Sequence, residues 1–294
     1  MMYKWKSSFA RRHVLIGMLL ILMPLAVVVA CAQSSAGSSP TPTSQPSLAA
    51  ITIKAMNYSY DQPQTVPAGL VDITLINNGT EPHQDNIVRL HDGVTFEQFQ
   101  AALLKQGDLG AVQLSTFYGG PNAILPGKSQ EVILNLPAGH YVSICFVRGS
   151  DNVPHYMKGM IAQFTVVGSP GESQAPKADG EIVLQNFSYV LPGTLPSGPI
   201  TLKVTNRGSQ THEVTLVHLA PRNSMQDVIA FLHKPAGPPP FEVAGGLAAI
   251  APQTSAWLKL NLQPGKYGTL CFVTDPTTGK PHFMLGMMAP FTVQ

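Results

Sequence analysis

Alternating apolar and polar positions predict short β-strands along most of the chain. The alternating runs end in Gly, Pro or Asn, which are typical of turns between strands. One pair of runs is followed by an Asn-x-Gly turn signal, and another pair by a Gly turn and a Tyr-led strand that ends at a cysteine. The first pair covers 71–75 and 200–204, and the second covers 130–136 and 256–262.

The same elements occur twice because the chain contains an internal repeat. The sequence NYSY at 57–60 recurs as NFSY at 186–189, an offset of 129 positions that also relates the two Asn-x-Gly turns. Further along, the offset becomes 126 and, near the end, 127. So few length changes indicate a single ancestral domain that has been duplicated.

Each copy combines several short strands with one helix, predicted at 95–104 and at 224–232, where Ser224 is a candidate N-cap. The predicted fold class is therefore all-β, with two tandem Greek-key β-sandwiches that each carry a short inserted helix. The predicted organisation is a signal peptide at 1–30, a lipidated Cys and Ser/Pro-rich tether at 31–50, a first domain at 51–167, a linker at 168–180 and a second domain at 181–294.

The N-terminus predicts export. A basic stretch ending at Arg12 precedes an apolar run at 14–30, which ends in Val-Val-Ala before Cys31. This end resembles the lipobox of bacterial lipoproteins, in which the cysteine is acylated and becomes the new N-terminus. A transmembrane anchor is the alternative, because the run approaches spanning length. Arg11 and Arg12 partly resemble a twin-arginine signal, so the export route stays open.

The lipoprotein interpretation implies a location and one partner. Cys31 would attach the protein to a cell membrane, and the tether would hold its domains in the periplasm or outside the cell. The 294-residue chain has a formal net charge of +2, but four basic residues lie in its first twelve positions. Without them, 14 basic residues face 16 acidic ones. This near-neutral balance gives no electrostatic footprint for nucleic acid.

The two repeats share few residues that could bind a metal ion. Two pairs of histidines, one pair of cysteines and two pairs of methionines coincide. In chain order, each copy holds an early His and then a Cys, a second His and Met near its end. The coinciding residues are His83 with His212, Cys145 with Cys271, His155 with His282, Met157 with Met284, and Met160 with Met287.

These motifs resemble the cupredoxin family, which includes plastocyanin, azurin and the copper domains of nitrite reductases. The resemblance is carried by NNGTEPH and NRGSQTH, then YVSIC and YGTLC, then PHYMKGM and PHFMLGM. It implies two cupredoxin-like domains that each bind one type 1 copper through two His, one Cys and an axial Met. The four-residue gap from His to Met favours Met160 and Met287 over Met157 and Met284. The implied ligands are His83, Cys145, His155 and Met160, then His212, Cys271, His282 and Met287.

These ligand types suit one chemistry. Two imidazoles and a thiolate in a plane, with a long thioether bond along the axis, suit Cu(I) and Cu(II) almost equally. Gln84 or Glu213 follows the early His where many family members have Asn, which leaves the hydrogen bonding of the sulfur open. Alternatively, the cysteines are buried small hydrophobes or disulfide partners in metal-free sandwiches. Four matched ligand types in family order, present twice, favour copper.

The residues beside each cysteine argue against an enzyme. Oxidases and nitrite reductases of this family reach a second copper centre through a His directly beside the Cys, whereas Phe146 and Phe272 follow the cysteines here. No His-x-His pair occurs in the chain. We therefore expect an exported electron carrier whose redox partner proteins are unknown. A copper-delivery lipoprotein without electron transfer and a metal-free interaction module are the alternatives.

Overall fold

The computed structural model describes residues 48–294. The predicted signal peptide, Cys31 and most of the tether lie outside the described residues, so export and lipidation stay predictions. Within 48–294, no helix has the length and apolar character needed to cross a membrane.

Apart from one additional helix in the first half, the strands and helices of the two halves follow one another in the same order. The first half contains β1 (Ala49–Met56), β2 (Ser59–Asp61), β3 (Thr65–Pro67), β4 (Gly69–Asn77), β5 (Asn86–Leu90), α1 (Phe96–Gln106), α2 (Asp108–Leu114), β6 (Ser115–Gly119), β7 (Ser129–Leu136), β8 (Gly139–Ile144) and β9 (Ile161–Val167). The second half contains β10 (Gly180–Gln185), β11 (Ser188–Val190), β12 (Thr194–Leu195), β13 (Gly198–Asn206), β14 (His212–Leu219), α3 (Met225–His233), β15 (Phe241–Ile250), β16 (Ser255–Leu262), β17 (Gly265–Leu270) and β18 (Met288–Val293).

Each half is a two-layer β-sandwich with the same strand order. In the first half, one sheet runs β2-β1-β4-β7 and the other runs β6-β5-β8-β9-β3; the second half repeats this as β11-β10-β13-β16 and β15-β14-β17-β18-β12. Both sheets are mixed, since β1 pairs with β4 and β3 with β9 in parallel. The predicted all-β class with tandem sandwiches is confirmed. The exact domain boundaries stay a prediction.

The predicted helices are present with small shifts at their ends. Thr95 and Ser224 are N-caps, and each forms a capping box with the residue three positions later. The first half has an additional short helix, α2, which follows α1 after Gly107. Gly107 ends α1 with a positive φ of 63°. A Gly-Asp pair is typical of a turn, which is why the sequence did not predict a helix that starts there.

The two halves share both sheets. β7 pairs antiparallel with β16, and β6 pairs antiparallel with β15, so one sheet of eight strands and one of ten strands cross the junction. Val132 pairs with Leu258, its own counterpart at the offset of 126, and a bridge joins Pro121 to Leu247, which are also counterparts. The halves are therefore related by an approximate two-fold axis through these two pairs.

One hydrophobic core runs through both sandwiches. Alternate residues of β4 are buried, as its pattern predicts, and they pack between the two layers. The same cluster of buried side chains includes Val132 of β7 and Leu258 of β16, on either side of the junction. Cys145 and Cys271 belong to this cluster. The packed core thus reaches the residues that the sequence assigns to the metal sites.

Candidate metal centres

The early histidine of the first half is held between two strands. His83 follows β4 after the Asn-x-Gly turn and forms a two-residue bridge with Ile124: its N–H donates to the Ile124 carbonyl (3.2 Å), and the Ile124 N–H donates to the His83 carbonyl (2.9 Å). The Asn77 side chain donates to the carbonyls of Glu81 and Ile124, both at 2.9 Å, and accepts from the Gly79 N–H. The buried asparagine therefore fixes the segment that carries His83.

The cysteine and the second histidine are joined by backbone hydrogen bonds. Cys145 directly follows β8, and His155 begins a 3-10 turn, His155–Lys158. The Tyr156 N–H donates to the Cys145 carbonyl (3.0 Å), and the His155 N–H donates to the Val147 carbonyl (2.8 Å). These bonds close the loop onto the end of β8, so the two ligands cannot move independently.

The predicted axial methionine is tied into the same backbone network. Gly159 ends the 3-10 turn with a φ of 103°, a conformation that favours glycine, and so turns the chain back towards the site. The Met160 N–H donates to the His155 carbonyl (3.0 Å), and the Cys145 N–H donates to the Met160 carbonyl (3.2 Å). Met160 is fully buried, whereas Met157 is 53% exposed. The buried Met160, bonded through its backbone to Cys145 and His155, therefore fits the predicted axial position better than the exposed Met157.

The donor atoms of the three predicted ligands meet in the buried interior. Nδ1 of His83 lies 3.0 Å from Nδ1 of His155, and Sγ of Cys145 lies 3.5 Å from the latter nitrogen. The nitrogen and sulfur donors all lie within 4.8 Å of one another. These separations are close to the roughly 3.5 Å expected between atoms that each lie about 2.0–2.3 Å from one ion. His83, Cys145 and His155 therefore suit a single small metal ion.

The second half reproduces this arrangement. Nδ1 of His212 lies 3.0 Å from Nδ1 of His282, and Sγ of Cys271 lies 3.4 Å from the latter nitrogen. The backbone bonds also recur, because Met287 N–H donates to the His282 carbonyl and Cys271 N–H donates to the Met287 carbonyl. Met287 is buried, whereas Met284 is 41% exposed. Two groups of metal-ligating side chains, one in each half, occur among residues 48–294.

In the second half, the hydrogen bonds of the outward-facing ring nitrogens leave the inner nitrogens free to bind a metal. In the second half, Nε2 of His282 lies 2.9 Å from Oε1 of Gln210, and Nε2 of His212 lies 3.2 Å from Oδ1 of Asn186. An oxygen acceptor at Nε2 assigns the proton to that nitrogen, so each Nδ1 carries a lone pair. Two lone pairs then face each other across 3.0 Å, an arrangement that a cation relieves.

Burial sets the protonation of the same groups. It lowers the pKa of His83 and of His212 to about 4, which keeps both imidazoles neutral at ordinary pH. It also raises the pKa of the Cys145 thiol to about 12, against the opposing effect of backbone N–H groups from Gln84 and Val147.

The alternative of a disulfide is wrong. Cys145 and Cys271 are both free and buried, and each lies within its own cluster of histidines. Two imidazoles, one thiolate and an adjacent buried thioether are the ligand set of a type 1 copper site, and each half has one. The prediction of one type 1 copper site in each half is therefore confirmed.

Some residues of the site were missed by the sequence analysis. Glu81 and Gln210 occupy equivalent positions, two residues before each early His. Gln210 accepts from His282, and Oε2 of Glu81 lies 3.2 Å from Nε2 of His155, although without the angle of a hydrogen bond. A position-by-position comparison of the repeats for side-chain oxygens would have found this pair. The first centre thus has a carboxylate where the second has an amide.

A scan against protein-family models gave no match, and neither did a search of curated proteins. Among solved structures, the chain is similar to an auracyanin from the photosynthetic bacterium Roseiflexus castenholzii, with 22% identity over 39% of this chain and 95% of that one, at a TM-score of 0.28. It is also similar to a multicopper oxidase (18% identity, 87% and 92% coverage, TM-score 0.27) and to a copper nitrite reductase from Nitrosomonas europaea (13%, 84% and 94%, 0.24). TM-scores of this size carry no argument, so the assignment of the sites rests on their geometry.

The fit of His83 against Gly79 provides a test of the first site. A Cβ at Gly79 would overlap Nε2 of His83, so we expect Gly79→Ala to tilt the ring and to lower copper affinity at that site by at least about tenfold. The second site should keep its affinity. Competitive titration with a copper chelator measures both constants. Gly193→Ala is the control, because a Cβ there meets open space. Unchanged affinity in Gly79→Ala would contradict the proposed packing of this ring.

Proposed function

We propose that this protein is an exported, lipid-anchored copper protein that transfers single electrons through two mononuclear type 1 copper sites. The observation that carries the proposal is the convergence of two imidazole nitrogens and one thiol sulfur, repeated in both halves. When bound, copper supplies the one-electron redox change. The described residues supply the ligands and hold them in place.

The ligand residues favour electron transfer because they are rigid and buried. His83, Cys145 and His155 have no exposed surface; Met160 bonds through its backbone to Cys145 and His155, and His83 bonds through its backbone to Ile124. A ligand set held in this way changes little between two oxidation states, which keeps the rearrangement accompanying electron transfer small.

The same burial argues against substrate chemistry at these centres. Catalytic metal sites keep a coordination position open to water or substrate. Here Met160 and Met287 are fully buried and bonded through their backbones to the Cys and the second His of each site, so each thioether is available as a fourth ligand. We therefore propose a carrier and not an enzyme, with redox proteins as its partners.

The membrane attachment is the second part of the proposal. It is supported by the basic and apolar leader and by the small Ala30 before Cys31. Acylation of Cys31 would place the two copper sites at the end of the Ser/Pro-rich tether, outside the membrane. Soluble or membrane-bound redox proteins at that surface would then be within reach.

Loss of one thiol should remove one copper site and leave the other. We expect copper-loaded protein to absorb strongly at about 600 nm through thiolate-to-copper charge transfer, and Cys145→Ala or Cys271→Ala to retain about half of that band and of the bound copper. Visible spectra and elemental analysis provide the two readouts. Copper delivery without electron transfer predicts tight Cu(I) binding but slow exchange with a small redox protein. A colourless protein that binds no stoichiometric copper would refute the proposal.

Replacing the buried methionine should change the reduction potential. Removal of the thioether in Met160→Leu weakens the axial interaction, so we expect the potential of the first site to rise by more than about 59 mV, a tenfold change for one electron. Met157→Leu is the matched control, because Met157 is exposed. Spectroelectrochemical titration measures both. A larger shift in Met157→Leu than in Met160→Leu would reverse the assignment of the axial ligand.

Replacing Cys31 should release the protein from the membrane. Acylation needs the thiol, so we expect Cys31→Ser to lose incorporation of radiolabelled palmitate and to leave the membrane fraction, with its copper sites intact. Cys145→Ala should stay attached. If Cys31→Ser stays in the membrane fraction, and neither this variant nor the unaltered protein carries an acyl label, the apolar run itself is the anchor.

A further inference from the structure

One side chain connects the two metal-binding halves directly. Asn122 lies on the segment that follows β6, and its Nδ2 lies 3.3 Å from Oε2 of Glu213 and 3.0 Å from Oγ1 of Thr215 in the other half. Asn122, Glu213 and Thr215 are all buried. Polar contacts of this kind, shielded from water, persist in one geometry.

Each end of this contact leads to a metal ligand. Glu213 directly follows His212, and its Oε1 accepts from the N–H of Phe272 (2.8 Å), the residue after Cys271. On the other side, Asn122 is two residues from Ile124, which exchanges both backbone hydrogen bonds with His83. The chain of bonds therefore runs from His83 through Ile124 and Asn122 to Glu213, where it reaches both His212 and Cys271.

A second side chain of the first half also contacts the second half, this time as a hydrogen-bond acceptor. The side-chain oxygen of Asn86, on β5, accepts from the Ala249 N–H (3.0 Å), and the next residue, Ile250, pairs with His212 in the sheet. The residues that follow the two cysteines, Phe146 and Phe272, line one cavity of about 510 Å³ between the halves. Both centres therefore face the same junction.

The Asn122–Glu213 contact is not a by-product of the duplication. At the offset of 126, the counterpart of Asn122 is Ala248; at the offset of 129, the counterpart of Glu213 is Gln84. The alanine side chain has no donor for the glutamine, so the approximate two-fold axis generates no second copy of this side-chain bond. Only the first half supplies the donor side chain of this bond.

We propose that the two copper sites exchange an electron directly within one molecule, through the bonded segment from His83 to Glu213. The proposal rests on the function proposed above. One electron leaves the reduced site and is accepted at the oxidised site, so one centre is oxidised as the other is reduced. No covalent bond and no proton changes place. The protein would then accept two electrons one at a time, and an electron could move from one copper site to the other before a redox partner binds.

The length and burial of this route suit such an exchange. Residues in extended chain advance about 3.3 Å each and paired strands lie about 5 Å apart, so His83 and Asn122 are separated by roughly 12 Å of bonded structure. The junction lies within two continuous sheets, which keeps that length fixed.

The test follows an electron as it moves between the sites. In a Met287→Leu background, the two sites differ in potential and spectrum, because the second lacks its thioether. A light-driven reductant then delivers less than one electron per molecule to the fully oxidised, copper-loaded chain. We expect a first-order transfer phase whose rate does not depend on protein concentration. Asn122→Ala, which installs the residue of its counterpart, should slow this phase at least tenfold with both spectra unchanged.

Control variants separate the possible failures. Glu131→Gln changes a cross-junction contact with Lys259 on the other sheet, and should leave the phase unaltered. A rate that scales with protein concentration would overturn direct exchange, and an equal rate in Asn122→Ala would overturn this route. Absence of the copper band itself would instead refute the proposed function. If Met287→Leu does not load copper, Met160→Leu provides the reciprocal background.

The route can also be tested without copper. In the metal-free protein, Asn122→Ala removes a donor from Glu213, whose other oxygen accepts from Phe272. We therefore expect the backbone amide resonance of Phe272 to shift in nitrogen-15 NMR spectra, while that of Gly193, far along the chain in a turn, does not. No shift at Phe272 would mean that the connection is not formed in solution, which overturns the proposal.

Discussion

The structure depends on keeping three donor atoms together in a place that water does not reach. Nδ1 of His83, Nδ1 of His155 and Sγ of Cys145 are polar groups inside a hydrophobic core, and buried polar groups are costly unless they have partners. A bound metal would be that partner for all three. The features around them, namely the Ile124 bridge, the 3-10 turn and the Met160 backbone bonds, hold the donors at the separation that one ion needs.

This constraint explains residues that are otherwise unremarkable. Gly79 has no side chain because the His83 ring lies against its Cα, and Gly159 reverses the chain so that the next residue returns to the site. Asn77 is buried because its side chain satisfies the carbonyl of Glu81, just before the ligand His83, and that of Ile124, which bridges to His83. In the second half, Gly208, Gly286 and Asn206 occupy the same roles.

The sequence predicted what is local or repeated, and missed what depends on long-range pairing. Alternation identified β4, β7 and their counterparts, and the doubled His, Cys and Met positions identified the ligands, because both signals are contained in short stretches. The Asn-x-Gly motif predicted a turn, but its clamp on the Ile124 carbonyl joins residues 47 positions apart. The pairing of Val132 with Leu258 is longer still, and no local pattern encodes it.

The differences between the halves carry information that their similarity hides. A duplicated domain keeps its metal ligands as long as each copy must bind the same metal, and here both copies keep all four ligands of the set. Positions around the ligands have diverged: Glu81 faces His155 where Gln210 faces His282, and the buried Asp85 has Val214 as its counterpart. Charge beside a ligand changes the balance between oxidation states, because it favours one metal charge over another. Two copper sites with equal ligands and unequal surroundings would therefore differ in reduction potential, and in the exchange proposed above that difference would give the electron a preferred direction.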